Sequence, residues 1–164
     1  MHNLKGESKS PTLAYPPAPV ADNSISTRPS PDGEHSFDGV TSFIGMRWED
    51  PQTVRLQIRP ELMNRGGLLS GVVTYALVDY CMGSTLWVET TKDEHIATIN
   101  ISINYIQTAT EGEIVCRSTL DRRNRSSAVM RSEIHHEDGR LMVTAIGSYT
   151  IFPARKRFTT PPES

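Results

Sequence analysis

The sequence is short of net charge, of cysteine and of long apolar runs, and each shortage removes a class of protein. A formal charge of −2 over 164 residues, with both signs interspersed, argues against a nucleic-acid or membrane-surface role, since either needs a concentrated basic face. The two cysteines, Cys81 and Cys116, stand where a small apolar residue would serve, so a reduced, cytoplasmic protein is expected. No N-terminal apolar run resembles a secretion signal, and the one long apolar segment carries Asp79 at its centre. Neither export nor a membrane span is therefore expected, and the sequon matches at Asn100 and Asn124 count as chance. Also missing are His-Glu-x-x-His, Cys-x-x-Cys, a phosphate loop and a dinucleotide glycine fingerprint. His135 and His136, just before a hairpin turn, read as a solvated strand end rather than a metal site. Ser70 precedes Gly71, but Leu68 occupies the position where a nucleophile elbow needs glycine. No metal or cofactor is expected.

What is present suffices for one core. A hydrophobic content of 37% in a chain of this length leaves little for a second domain. Residues 1 to 35 are rich in Pro, Ser and short polar residues, a composition that cannot bury enough surface to offset ordering entropy. They read as a disordered tail, with Pro16, Pro17 and Pro19 as a weak polyproline motif. The folded domain is expected over 36–153, followed by a short polar tail over 154–164.

The chain is organised around residues 64 to 83. From Ser70 onward, apolar residues recur at Val72/Val73, Ala76/Leu77, Tyr80/Cys81 and Leu86/Trp87, which is the spacing of a long helix burying one broad stripe. Ser70 has the chemistry of an N-cap, and Gly66 and Gly67 let the backbone turn into the helix. The amides of Gly71 and Val72 then lie at a positive helix end, suited to an oxyanion. Asp79 interrupts the stripe at its edge, close in direction to Val72 and Gly83. A carboxylate there needs a partner, and it is a candidate for chemistry.

Strands surround this helix. Phe43 to Trp48 reads as a first strand, and Val54, Leu56 and Ile58 alternate with polar residues as a second. Lys92 to His95 is a polar connection. Ile99, Ile101, Ile103 and Tyr105 alternate with Asn100, Ser102 and Asn104. Ile114 to Leu120, Ala128 to His135 and Leu141 to Phe152 follow, joined by turns at Arg122 to Arg125 and at Asp138-Gly139. Short connections imply an antiparallel meander, and one helix against it makes a two-layer α+β domain.

Asn64, the glycine-bearing turn, Ser70-Gly71 at the helix start and Asp79 nine residues after Ser70 resemble the signature of hotdog-fold acyl-CoA thioesterases of the phenylacetate-pathway (PaaI-like) type. Ser70 stands where that family has His, and Val72 where it has a second Gly. Thr98 to Tyr105, with Thr108, Ala109 and Gly112, is similar to the family's third strand and its exit; Asp138 to Gly147 is similar to its last hairpin. The resemblance covers most of residues 40 to 153 and implies a hotdog fold, one long helix wrapped by a curved antiparallel β-sheet.

It also implies an activity, hydrolysis of an acyl-CoA thioester by water. The matched positions assign carbonyl polarisation to Gly71 and Asn64, water activation to Asp79, support of that water to Thr98, and orientation of the site or leaving thiol to Ser70. Arg122, Arg123 and Arg125, clustered within four residues, are candidates for the three phosphoryl groups of coenzyme A, against the plainer reading of a solvated turn. A homodimer or homotetramer with a shared site is implied as well. A hotdog protein that binds acyl-CoA or other proteins without turnover is the alternative; a dehydratase would require a catalytic His near the helix.

Overall fold

The computed structural model describes residues 39–154. The expected tail over 1 to 35 and the C-terminal tail beyond residue 154 lie outside the described residues. Helix α1 (Gly39–Ile44) leads into strands β1 (Arg47–Asp50) and β2 (Thr53–Gln57), a 3₁₀ turn (Pro60–Leu62) and helix α2 (Gly71–Trp87). Strands β3 (Glu94–Tyr105), β4 (Glu113–Arg123), β5 (Ser127–His136) and β6 (Leu141–Pro153) complete the order. The six strands form one antiparallel sheet in the order β1-β2-β4-β5-β6-β3. A long helix held by a curved sheet is the hotdog fold.

Helix α2 forms where the apolar period begins and ends where its last carbonyls find other partners. The amide and the hydroxyl of Thr90 both donate to the Trp87 carbonyl, at 3.1 and 2.7 Å, satisfying one of the acceptors a helix C-terminus leaves open. Val73, Leu77, Val78, Cys81, Met82 and Leu86 face the sheet and are buried; a fully buried side chain of this size contributes about 1.5–3 kcal/mol. The sheet comes close at Gly147, where a Cβ would lie 2.7 Å from the Met82 sulfur. The opposite side of α2 is not covered. Val72 is 78% exposed and Tyr75 38%, and both share a side with Asp79 and Gly83.

Some strand expectations are corrected. Phe43 and Ile44 end a short helix rather than begin a strand, because Gly45 takes φ +82° and, with Met46, donates to the Thr41 carbonyl, a glycine-capped helix stop. A short apolar run cannot by itself separate helix from strand. The meander holds for β4, β5 and β6, but β3 pairs with β6 at the far edge while β2 pairs with β4. Strand β3 also starts at Glu94, inside the expected polar connection, and a bulge between Thr98 and Asn100 shifts its phase. Ile99 is consequently 62% exposed whereas Ile101 is buried, so the alternation from Ile99 to Tyr105 does not mark a single face.

Two loops are latched by side chains. Gly139, at φ +89°, makes the β5–β6 hairpin with its amide donating to the His136 carbonyl at 2.8 Å, as Asp-Gly predicts. His136 is not solvated: its side chain is 9% exposed, with Nδ1 2.8 Å from Asp138 and Nε2 3.0 Å from the Glu111 carbonyl. Trp48 Nε1 donates to Ser84 Oγ, which donates to the Pro51 carbonyl, tying the β1–β2 turn to α2. Cys81 and Cys116 are buried free thiols, Cys81 Sγ lying 3.6 Å from the Cys116 carbonyl; burial pushes the Cys116 thiol well up, which makes it inert.

Glu113 accepts from Arg55 at 2.8 Å and pairs with Arg47, and the Arg55 hydrogen bond leads the causes that hold its carboxyl below the usual range. A depressed folded-state value means the pairing stabilises above the unfolded carboxyl's pKa of about 4.3 and is lost as pH falls through the folded value. Thermal melts should therefore show Glu113→Gln less stable than the parent at pH 7, with the gap closing as pH falls below the unfolded carboxyl's value and through the lower folded one.

Candidate active site

The loop before α2 presents one half of a site. Met63 and Leu69 bridge as a minimal antiparallel pair, and Asn64 closes the turn between them. Its amide donates to the Leu68 carbonyl at 2.8 Å, and its Oδ1 accepts the amides of Gly66 at 2.8 Å and Leu68 at 3.3 Å. With the carboxamide oxygen engaged in the turn, its NH₂ is the group left to donate outward. Gly67, at φ +72°, supplies the left-handed residue the turn requires.

Ser70 stands at the N-cap, but its hydroxyl makes no capping hydrogen bond, which corrects the expected side-chain cap. Its carbonyl accepts the amides of Val73 and Thr74 instead. The Gly71 amide, at the first helical position, has no carbonyl within the helix to donate to and lies at the positive end of the dipole. Tyr105, from the end of β3, lays its ring against Gly71: a Cβ there would meet the ring at 3.3 Å, and the phenol donates to the Gly71 carbonyl at 3.1 Å. Asn64, Leu68, Gly71, Thr74 and Tyr105 are among the residues that line a cleft of about 190 Å³.

The other half lies two turns along α2. Asp79 is half-buried, and its Oδ1 accepts hydrogen bonds from Thr98 Oγ1 and Tyr149 Oη, both at 2.8 Å. Thr98 and Tyr149 are cross-strand partners of β3 and β6, and the β3 bulge turns Thr98 toward the helix while Ile101 still reaches the core. Tyr149 is 2% exposed. Burial first, then the charge of Asp79, pushes its phenol well above the ordinary value, so it remains a donor.

Asp79 and Thr98 are thus brought together, and Asn64 and Gly71 are brought together, but the two pairs occupy separate places on the chain. Arg122, Arg123 and Arg125 do not share a turn. Arg122 and Arg123 belong to β4, opposite Val129 and Ala128; Arg123 Nη2 is clasped by both Glu94 oxygens at 2.8 and 2.7 Å, and Arg122 Nε donates to Asn124. Only Arg125 lies in the β4–β5 turn. Tyr149 and Tyr105 are the residues sequence reasoning missed. The one available signal for Tyr149 was a hydroxyl among the inward residues Val143, Ala145, Gly147 and Ile151. Among the described residues, no group of His, Cys, Asp and Glu could hold a metal, and no helix is long and apolar enough to cross a membrane.

With this geometry the chain resembles the hotdog-fold thioesterases. The sequence model of the Thioesterase superfamily matches residues 66–143, which include Gly71, Asp79 and Thr98. No curated protein matches the chain in sequence. Among solved structures, a mutant thioesterase from Pseudomonas aeruginosa superposes with a TM-score of 0.67 at 15% identity, over 70% of this chain and 86% of that one. A conserved protein from the same organism gives 0.65 at 26% identity, over 70% and 94%. A Bacillus halodurans protein solved with CoA gives 0.66 at 18% identity, over 69% and 75%.

Proposed function

We propose that the protein hydrolyses an acyl-CoA thioester to a free acid and coenzyme A, as a homodimer with two shared sites. The carrying observation is Asp79, whose Oδ1 is held by two hydroxyls while Oδ2 stays available to a water molecule. That carboxylate takes a proton from water as the water oxygen bonds to the thioester carbon. The carbonyl oxygen gains charge and is held by the Gly71 amide and the Asn64 NH₂. The carbonyl then re-forms as the carbon–sulfur bond breaks, and the departing thiolate takes up the proton that Asp79 removed from water, which restores the carboxylate. Thr98, its own proton committed to Asp79, can accept from the attacking water.

Gly71 and Asp79 are eight positions apart on one helix, about 12 Å along its axis, too far to act on one carbon. Two antiparallel α2 helices across a two-fold axis would unite Gly71 of one protomer with Asp79 of the other. The exposed side carrying Val72 and Tyr75 is the surface such a pairing would bury. Coenzyme A as the thiol carrier draws support from the CoA in the Bacillus halodurans structure.

Free-thiol release from a panel of acyl-CoAs tests the reading, with turnover of at least one expected. Binding without release would favour the alternative, an acyl-CoA-binding hotdog protein. Ser70 is the observation behind that alternative, since its hydroxyl can donate one hydrogen bond but cannot carry positive charge as an imidazole would. The arginines supply a further check. Changing Arg122, Arg123 and Arg125 together to Ala should raise KM for acyl-CoA and leave a thioester of a small, uncharged thiol unaffected, because only the former has phosphates to lose. Equal effects on both would assign the three guanidinium groups to solvation and to the Glu94 pairing.

A further inference from the structure

We infer that Tyr149 is a positioning residue for the Asp79 base, a role that rests on the thioesterase reading above. A carboxylate on a helix can rotate about its terminal bond, and a general base is effective only when one oxygen points at the water to be deprotonated. In this protein both donors reach the same atom. Thr98 Oγ1 and Tyr149 Oη each lie 2.8 Å from Asp79 Oδ1, and a hydrogen bond to an ionised oxygen is among the stronger kinds. Pinning one oxygen twice selects which of the two is free, so Oδ2 is the proton acceptor.

The two donors are not equivalent. Thr98 is exposed and its hydroxyl can exchange Asp79 for water. Tyr149 cannot, because its ring is packed in the core at 2% exposure and its position is fixed from below. Gly147, two residues earlier on the same face of β6, lets the sheet approach Met82, and α2 carries Asp79 three positions before Met82. The Tyr149 hydroxyl also lies 3.2 Å from the Asp79 main-chain carbonyl, so it sits where side chain and helix backbone of the same residue meet. A phenol held there keeps the carboxylate from swinging toward the solvent side of α2. The residue touches no reacting atom; it acts through Asp79.

The test is a double-mutant cycle on the full chain. Tyr149→Phe retains the ring and loses only the donor. Its kcat for an acyl-CoA should fall roughly 10- to 100-fold, the range expected for one hydrogen bond to a charged group, with KM and the melting temperature near the parent values. In an Asp79→Asn background the same change should lower the residual kcat by much less, since there is no longer a base to orient. Thr98→Val should give a smaller loss than Tyr149→Phe. A parent-like kcat for Tyr149→Phe would overturn the proposal, as would the same fold-loss in both backgrounds or a loss that follows the folded fraction. A parent-like kcat for Asp79→Asn alone would instead remove the base, and the positioning role would fall with it; that outcome is read before Tyr149 is changed.

Discussion

Asp79→Asn should lower kcat by about 10² to 10⁴, the usual contribution of a positioned general base, while acyl-CoA binding and the fold survive. The substitution keeps shape and hydrogen-bonding atoms and removes only the charge that accepts a proton. Thr98 and Tyr149 can still donate to the amide oxygen, so the helix and the β3–β6 pair lose little. A structural carboxylate would behave otherwise. If Asp79 serves chiefly to hold a dimer interface, the same change should lower the melting temperature or dissociate the protein, and turnover should fall only as far as the folded population does. Measuring kcat, ligand affinity and melting temperature on this one variant separates the cases, and unchanged kcat per folded dimer would remove Asp79 from the mechanism.

Two inactive variants should restore activity to each other when mixed. Asn64→Ala impairs the oxyanion half of the site and Asp79→Asn the water half. In a dimer whose sites each take one half from each protomer, a mixed dimer carries one site with both halves intact and one with both damaged. After unfolding and refolding the two chains together in equal amounts, half of the dimers are mixed, so the preparation should recover about a quarter of the parent turnover. Sites contained within a single chain would yield no recovery beyond the sum of the two variants. Sedimentation of the parent at assay concentration gives the independent check, with a fully active monomer being the result that refutes the shared site.

Different parts of this architecture were legible to different degrees. Helix α2 could be read because its period is local and Gly66-Gly67 punctuates its start; the match at Asn64, Gly71 and Asp79 followed from spacing along the helix and the turn that leads into it. The β5–β6 hairpin was legible from Asp138-Gly139 alone. Strand order was not, because the pairing of β3 with β6 and of β2 with β4 is settled by how the strands wrap α2, and periodicity carries no record of that. Phe43 to Met46 misled for a related reason: an apolar run of that length fits a short helix as well as a strand, and only the left-handed Gly45 distinguishes them.

At the candidate site the residues were visible and their relations were not. The sequence shows Asn64 but not that its oxygen is engaged in the turn, leaving the NH₂ to donate. Tyr149 lies 70 positions from Asp79 and reads as one more inward residue of a core strand, so nothing local marks its hydroxyl. The arginines erred in the opposite direction. Proximity in sequence suggested a cluster, whereas β4 continues through Arg122 and Arg123 and the Glu94 carboxylate claims Arg123.

The bulge in β3 makes the length of that strand as consequential as its composition. Before it, Ile96 and Thr98 face the helix; after it, Ile101 and Ile103 do, opposite Gly147 and Ala145. Deleting Ile99 alone would restore an uninterrupted pairing in which Thr98, Asn100 and Ile101 stay opposite Tyr149, Ser148 and Gly147, so both inward residues would keep their face. Deleting Ile99 and Asn100 together would instead make Thr98 and Ile101 neighbours, and then either Thr98 would leave Asp79 or Ile101 would leave the core for solvent. The strand should therefore tolerate substitution or loss of Ile99, and not the loss of two consecutive residues there.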